Sequence, residues 1–400
     1  FLQRGDLSPL FFILHRCNLN KLTIDLAAFM RDYWQKKPTV LRGAYAPFTD
    51  PITPDELAGL ATEEQVESRL VTFVDGKWQA QHGPFEDYSQ LGESHWALLV
   101  QATDHWIKPV ADLITPFRGL PNWRIDDVMI SYSAPGGGVG PHVDQYDVFI
   151  IQGSGSRRWR VGSNTPTEQF VATPGLLHVN PFEPIIDVEL QSGDILYIPP
   201  GFPHDGYAIT EAMSYSIGYR APNQQDLFSS FADFLLQEDA GQLRYADPDR
   251  ELTTEPGLVP AKDVNDIRTL MQSLLQDEQL FSAWLGTQLS QAKHELNILT
   301  SDEWDLIPDE LIPALEAEDE LYRLGGLRCL YFRALPDVCF VNGEKMQIPE
   351  GGQELAHLMC NSTVLTLDNL QPYLDNPVLV DWICHWFNQG YWYLASDAEE

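Results

Sequence analysis

The chain has 400 residues, 58 of them acidic and 25 basic, for a formal net charge of −33 with histidine neutral. That balance argues against direct binding to nucleic acid and favours a basic protein or peptide as partner, drawn in electrostatically. A hydrophobic content of 44% over this length supports two or three packed domains and excludes a disordered chain.

Phe1 is not an initiator methionine, and the first twenty residues or so are read as including sequence ahead of the natural start. The run Leu10-Phe11-Phe12-Ile13-Leu14 is too short to span a bilayer, and no small-residue cleavage site follows it. A soluble, cytoplasmic protein with no membrane partner is expected. Residues 26–36 read as an entry helix and the acidic stretch 54–69 as a second one. From Leu70 to about Ala221, dense Gly and Pro punctuate short β-rich runs, which is the pattern of a jelly-roll or double-stranded β-helix. Within it, His95 and His105 beside Trp96 and Trp106 are placed on a helix as packed side chains.

After Ala221-Pro222-Asn223 the periodicity changes. Residues 227–238 and 264–292 carry Leu, Phe and Met at helical spacing, with apolar faces through Phe228, Phe231, Phe234 and Leu235 and through Leu270, Leu274, Leu275 and Phe281. From about Ile298, strands at 327–332 and 338–348, helices at 353–359 and 367–374 and the close Tyr391-Trp392-Tyr393 follow in the order of a winged helix. No Lys or Arg occurs after Lys345 while eight Asp and Glu do, so this region is read as a protein-interaction or packing module rather than a DNA reader. The cysteines Cys17, Cys329, Cys339, Cys360 and Cys384 are odd in number and form no C-x-x-C pair, so they read as small buried hydrophobes.

The chemistry concentrates in His142-Val143-Asp144 and in His204 about sixty residues on. Two imidazoles and one carboxylate make a facial ligand set for non-haem iron(II), with open positions for oxygen chemistry. Residues two apart on a strand share a face, so His142 and Asp144 can chelate one ion together. The stretch Gly193-Asp194-Ile195-Leu196-Tyr197-Ile198-Pro199-Pro200-Gly201-Phe202-Pro203-His204 is a short apolar strand entering a rigid turn that ends on the third ligand. Any one of these histidines alone could be an ordinary turn residue; together they point to a metal.

Between the halves, Arg157, Trp159 and Val161 fall on one strand face and Arg158 and Arg160 on the other. Arg157 thus points inward and needs an anion, either a bidentate carboxylate ligand or a protein Asp or Glu. Ser133, on the same face as Ser131, offers a hydroxyl to the same ligand or simply packs in the inner wall. Tyr146 follows His142 and Asp144 by parity, whereas Asp147 points the other way. Tyr146, Asp127 and Asp147 are the candidates for holding a cationic side chain, Tyr146 first.

Taken together, Tyr33-Trp34-Gln35-Lys36-Lys37-Pro38, Trp123-Arg124-Ile125-Asp126-Asp127, Pro135-Gly136-Gly137-Gly138-Val139-Gly140-Pro141-His142 with Asp144-Gln145-Tyr146-Asp147-Val148-Phe149, and the Gly193 to Gly206 stretch resemble the cupin-like, Jumonji C type 2-oxoglutarate oxygenases. The closer likeness is to the bacterial ribosomal oxygenases that hydroxylate an arginine of a large-subunit ribosomal protein. The resemblance implies Fe(II) held by His142, Asp144 and His204, with 2-oxoglutarate chelating it, its far carboxylate on Arg157, and O2 as oxidant. It implies an α+β chain divided into a double-stranded β-helix catalytic domain (1–222), a helical dimerisation region (223–297) giving a homodimer, and a winged-helix-like C-terminal domain (298–400). The substrate it implies is a basic ribosomal protein. Three rivals remain: histidine hydroxylation of a ribosomal protein, a metal-dependent cupin isomerase or dioxygenase that needs no Arg157, and a non-catalytic cupin-fold binding protein.

Overall fold

The structure, a computed structural model, describes residues 21–298, 306–318 and 320–394. The readings made on Leu10 to Leu14, on Cys17 and on the start of the chain lie outside them. Contacts divide the chain into two compact units. The first comprises the chain up to Ala221, Ala292–Leu327 and the chain from Thr363; the second comprises Pro222–Gln291 and Arg328–Ser362.

The first unit opens with α1 (Leu26–Asp32), whose first turn is capped by the Asp25 carboxylate accepting the Ala28 N–H at 3.0 Å. Then come β1 (Thr39–Leu41) and α2 (Pro54–Leu60), closed at its start by a Thr53–Glu56 capping box. The helix expected over 54–69 stops at Leu60. Residues 61–67 are turns and irregular chain, and Ser68 and Arg69 open β2 (Ser68–Val74), where a run rich in Val, Thr and Phe pairs on one side with β3 (Lys77–His82) and on the other with β4 (Trp96–Val100). Tertiary pairing here overrides a helical reading of the last two positions. The helix expected around His95 and His105 is likewise absent: His95 has a positive φ just before β4, and His105 ends a short 3-10 turn.

After α3 (Lys108–Ala111) the sheets are completed by β5 (Ile125–Ser133), β6 (His142–Val143), β7 (Asp147–Gln152), β8 (Arg157–Gly162), β9 (Gln169–Thr173), β10 (Leu176–Val179), β11 (Pro184–Leu190), β12 (Ile195–Ile198), β13 (Pro203–Ala208) and β14 (Ala212–Tyr219). One eight-stranded sheet runs β1-β12-β7-β14-β5-β4-β2-β3, a four-stranded sheet runs β11-β8-β13-β6, and β9 and β10 form a separate hairpin. Every pairing is antiparallel, and β12 with β7, β13 with β8 and β14 with β7 join strands far apart in sequence, as in a jelly-roll.

The period of two sorts the core into layers. On β7, Val148 and Ile150 pack with Trp159 and Val161 of β8 and with Leu196 and Ile198 of β12, filling the space between the two sheets. The alternate residues Phe149 and Ile151 join the larger cluster on the outer face with Phe29, Trp34, Tyr197 and Tyr219. Asp147 lies on that outer side, fully buried, accepting from Arg124 at 2.6 Å, Gln35 at 3.0 Å and the Tyr197 hydroxyl at 2.6 Å. It ties the Tyr33–Lys37 turn to the sheet. The first unit also holds a three-stranded sheet of β15 (Glu320–Arg323), β19 (Val364–Thr366) and β20 (Trp392–Leu394), with α7 (Pro308–Glu318), α9 (Leu367–Leu370) and α10 (Pro377–Asn388).

In the second unit α4 (Gln224–Gln237) is capped by Asn223. The long helix expected over 264–292 is two, α5 (Ala261–Gln276) and α6 (Glu278–Ser290), parted at Asp277, whose side chain caps α6. Phe231, Phe281 and Trp284 pack edge to face at the centre of this group. A three-stranded sheet of β16 (Cys329–Phe332), β17 (Leu335–Val341) and β18 (Glu344–Gln347) joins α8 (Gln353–Asn361). The single strand expected over 338–348 is a hairpin because Asn342 and Gly343 both take positive φ, the requirement of a tight two-residue turn. Cys329, Cys339, Cys360 and Cys384 are all buried.

Candidate active site

A cavity of about 430 Å³ lies between the two sheets of the first unit. At its floor, His142 on β6 stands directly opposite His204 on β13 in the antiparallel ladder, with ring centroids 4.2 Å apart. Asp144, just beyond β6, brings Oδ2 within 3.7 Å of His142 Nε2 and 3.4 Å of His204 Nε2. The ligand atoms of all three lie within 4.8 Å of one another. Each imidazole is oriented from behind: Nδ1 of His142 faces the Gly140 carbonyl at 2.9 Å and Nδ1 of His204 faces the Phe202 carbonyl at 3.0 Å. A carbonyl only accepts, so Nδ1 carries the hydrogen and the Nε2 lone pairs converge with the carboxylate. Gly140 has φ +79°, and the His178 ring occupies the space a Cβ would need there.

The electrostatics suit a cation. Burial and the neighbouring His204 push His142 down to about 4. Burial opposes ionisation of Asp144, yet His142 and His204 outweigh it and hold the carboxyl at about 2. Burial lowers His204 too, but Asp144 raises it above the ordinary value. The set thus offers an anion and a neutral imidazole at neutral pH, the charge and the lone pair that a divalent ion takes up.

Arg157 is 4% exposed and lines the cavity on β8, as its parity predicts. Its guanidinium donates to Ser131 Oγ at 2.9 Å, Ser214 Oγ at 3.5 Å and the Gly206 carbonyl at 3.3 Å, and its Nε has no partner. Among the described residues no carboxylate is hydrogen-bonded to it. Burial depresses it only to about 10, so it remains a cation facing a cavity, with room for an anionic ligand. Gly206 is required beside it, since the Trp159 ring lies 2.6 Å from where a Cβ would stand.

Of the remaining candidates, Asp127 and Tyr146 line the cavity, Asp127 buried at 8% and Tyr146 exposed at 42%. Asp147 is on the opposite face, in the core network already described. Ser133 is fully buried with an unpartnered hydroxyl and is not among the residues lining the cavity; Ser131, two positions earlier on the same face, is the serine that meets Arg157. Parity alone could not separate the two, because it fixes the face of a strand and not the depth along it. Sequence reading also passed over Asp126, Arg69 and His294, all of which line the cavity. Asp126 adjoins a candidate already named, but nothing local marks His294, which returns from the segment after α6.

Two families of known domains match this chain: residues 112–227 match the JmjC domain and residues 273–393 the ROXA-like winged helix. The Ribosomal protein uL16 3-hydroxylase of Escherichia coli (strain K12) is 49% identical over 376 residues, which span 94% of this chain and 99% of that protein. The chain belongs to the JmjC-domain ribosomal oxygenases. Within that family a Probable ribosomal oxygenase of Haemophilus influenzae is 31% identical, with 91% of this chain and 94% of that one aligned. The X-ray structure of E. coli ycfD superposes on this oxygenase with a TM-score of 0.88 at 49% identity, covering 94% of this chain and 99% of that one. A second E. coli structure, a ribosomal oxygenase in complex with cobalt and 2-oxoglutarate, has a TM-score of 0.86 at 48% identity, with 94% and 99% covered. The β-helix and the winged helix expected from sequence are thus both present, and this oxygenase is an enzyme rather than a vestigial cupin.

Proposed function

We propose that this oxygenase uses iron(II), 2-oxoglutarate and O2 to hydroxylate an arginine side chain of ribosomal protein uL16. The observation that carries the reading is one cavity with a His142–Asp144–His204 floor, a buried unpaired cation at Arg157 and an outer wall of carboxylates at Asp126 and Asp127. The donor set, two convergent Nε2 atoms and one ionised carboxylate, fits a divalent iron with positions to spare. When bound, iron with 2-oxoglutarate and O2 supplies the oxidant that converts 2-oxoglutarate to succinate and carbon dioxide and adds one oxygen to a C–H bond.

The chain's own residues bind and orient. His142, Asp144 and His204 would hold the ion. Arg157, steadied by Ser131 and Ser214, would clamp the far carboxylate of 2-oxoglutarate and so fix its reactive end towards the floor. Leu99, Met129, Val139, Val148 and Ile150 line the cavity and exclude water from the reaction. Asp127 and Tyr146 would receive the substrate's guanidinium, the carboxylate by charge and the phenol by hydrogen bond or ring face. The acidic chain draws a basic protein towards that opening, and the lack of any Lys or Arg after Lys345 fits a winged helix that does not read nucleic acid. Among the described residues no helix is long and apolar enough to cross a membrane; we read the protein as cytoplasmic.

The same reading includes a homodimer. In the second unit Phe228 and Leu236 of α4 and Val264, Ile267, Met271 and Leu275 of α5 are exposed by 40% or more. On α5 they recur at the spacing of one helix face, an apolar stripe of the kind that associates. Sedimentation should give twice the chain mass, and Met271→Glu with Leu275→Glu should reduce it to one.

The deciding experiment loads the protein anaerobically with iron(II) and 2-oxoglutarate, admits air, and follows an arginine-containing uL16 peptide by mass spectrometry with succinate measured in parallel. A gain of one oxygen on arginine with matching succinate is expected. The same gain on histidine would move the enzyme to the histidine-modifying reading, and succinate without any modified peptide would overturn the substrate.

A further inference from the structure

Behind the floor of the cavity, a buried imidazole stands against the loop that carries His142. His178, on β10, is 3% exposed and lies among aromatic neighbours, the Trp78 ring meeting it edge to face at 5.0 Å and the Phe170 ring at 6.2 Å. Next to it on the same strand, Leu176 packs with Val71, Ala97, Leu99 and Val139. His178 is not one of the three floor ligands, and a phenylalanine would fill its place among these side chains without bringing a polar group indoors. What the histidine adds is read from the carbonyls around it.

The three carbonyls that precede His142 in the chain are all taken. The Val139 carbonyl faces His178 Nε2 at 2.8 Å, the Gly140 carbonyl faces His142 Nδ1 at 2.9 Å, and the Pro141 carbonyl accepts the Val179 N–H at 2.9 Å. A carbonyl only accepts, so His178 presents a hydrogen on Nε2. β10 thus grips the loop on both sides of Gly140 and leaves the middle carbonyl to the ligand. The ring of His178 also covers Gly140, where a Cβ would stand 2.4 Å from its Cε1 and 2.6 Å from its Nε2. Rotation about ψ of Gly140 would swing its carbonyl away from His142, and glycine offers little resistance to that rotation. The resistance comes from the two flanking bonds and the ring between them.

We propose that His178 is a positioning residue for His142. Its Nε2–H and its ring fix the loop from Val139 to Pro141, the Gly140 carbonyl then holds the Nδ1–H of His142, and the opposite nitrogen stays aimed at the floor. That role rests on the floor ligands proposed above and adds the side chain that sets one of them. It acts on retention of the ion, while the cosubstrate clamp at Arg157, on another strand, is left as it is.

The test is titration of the metal-free full chain with cobalt(II), read by the visible absorption of the bound ion. His178→Phe keeps a ring beside Gly140 and deletes the N–H. It should weaken cobalt binding by about 10- to 100-fold and shift the absorption band, with the KM for 2-oxoglutarate at saturating metal changed by less than about threefold. His178→Gln, whose amide nitrogen can reach the same carbonyl, should restore binding to within about threefold of the unaltered chain. Leu57→Ala, which opens a cavity in the outer cluster, should lower the melting temperature and leave cobalt affinity unchanged. In the unaltered chain, cobalt loading should slow exchange of the Val179 amide by at least about threefold, because a fixed His142 steadies the carbonyls its loop offers to β10. Unaltered cobalt affinity and absorption in His178→Phe overturn the positioning role, as does an equal loss of affinity in His178→Gln or in Leu57→Ala. Unchanged Val179 exchange overturns it too, and decides the matter where His178→Phe does not fold. If the unaltered chain takes up cobalt no better than His142→Ala does, the floor reading falls, and the part of His178 with it.

Discussion

Two carboxylates line one cavity, the half-buried Asp144 at its floor and the buried Asp127 on its outer wall, and their surroundings push them to opposite sides of the ordinary value. Asp144 lies between two imidazoles and is held at about 2; Asp127 lies among Asp104 and Asp126 and is raised to about 6. The floor thus favours the anion and the wall disfavours it, because the two neighbourhoods differ and not because the side chains do.

The largest effect should come from removing a floor ligand. His142→Ala should lower hydroxylation by more than roughly 10³-fold and abolish ion retention after gel filtration, since two ligands no longer define the facial set. Activity within tenfold of the wild type would mean the floor does not hold the ion. Arg157→Ala should raise the KM for 2-oxoglutarate by about 10- to 100-fold, the worth of charge-assisted hydrogen bonds to a carboxylate, and unchanged kinetics would return the chain to the simple cupin enzymes.

The smallest effect sharpens the wall. With its folded value raised above the unfolded one, Asp127 costs stability that appears as pH climbs from the ordinary carboxylate range through about 6. Asp127→Asn keeps an acceptor for Ala102 and removes that cost, so it should stabilise the fold by about 1–3 kcal/mol at pH 7.5 and by little at pH 4. Thermal melts at both pH values read this directly. A loss of stability at pH 7.5 would show that the wall is built around the anion after all.

How far each region could be read from sequence follows the same division. The floor was legible because His142, Asp144 and the rigid turn ending on His204 are local patterns, and because strand parity aims Arg157 inward. The jelly-roll showed in its Gly and Pro punctuation. The wall was largely hidden. Asp127 was named for its charge and its nearness to the metal strand, but its neighbour His294 arrives from a loop that carries no periodic signal. Ser131 was passed over for Ser133 because both share a face. The acidic run after Pro54 looked helical, though pairing with β3 and β4 makes its end a strand, and Asp277 divides a helix that spacing alone left whole.

One feature of the ladder reaches beyond binding. β6 is two residues long and forms the rim of its sheet, paired among the described strands with β13, and one of the two rungs that join them is the His142–His204 pair itself. An ion seated on both imidazoles would therefore act as a latch, closing the rim of the sheet across a span with few backbone bonds. Metal loading should then be written in the motion of the backbone, as slowed amide exchange at His142 and Val143 that returns when the ion is withdrawn.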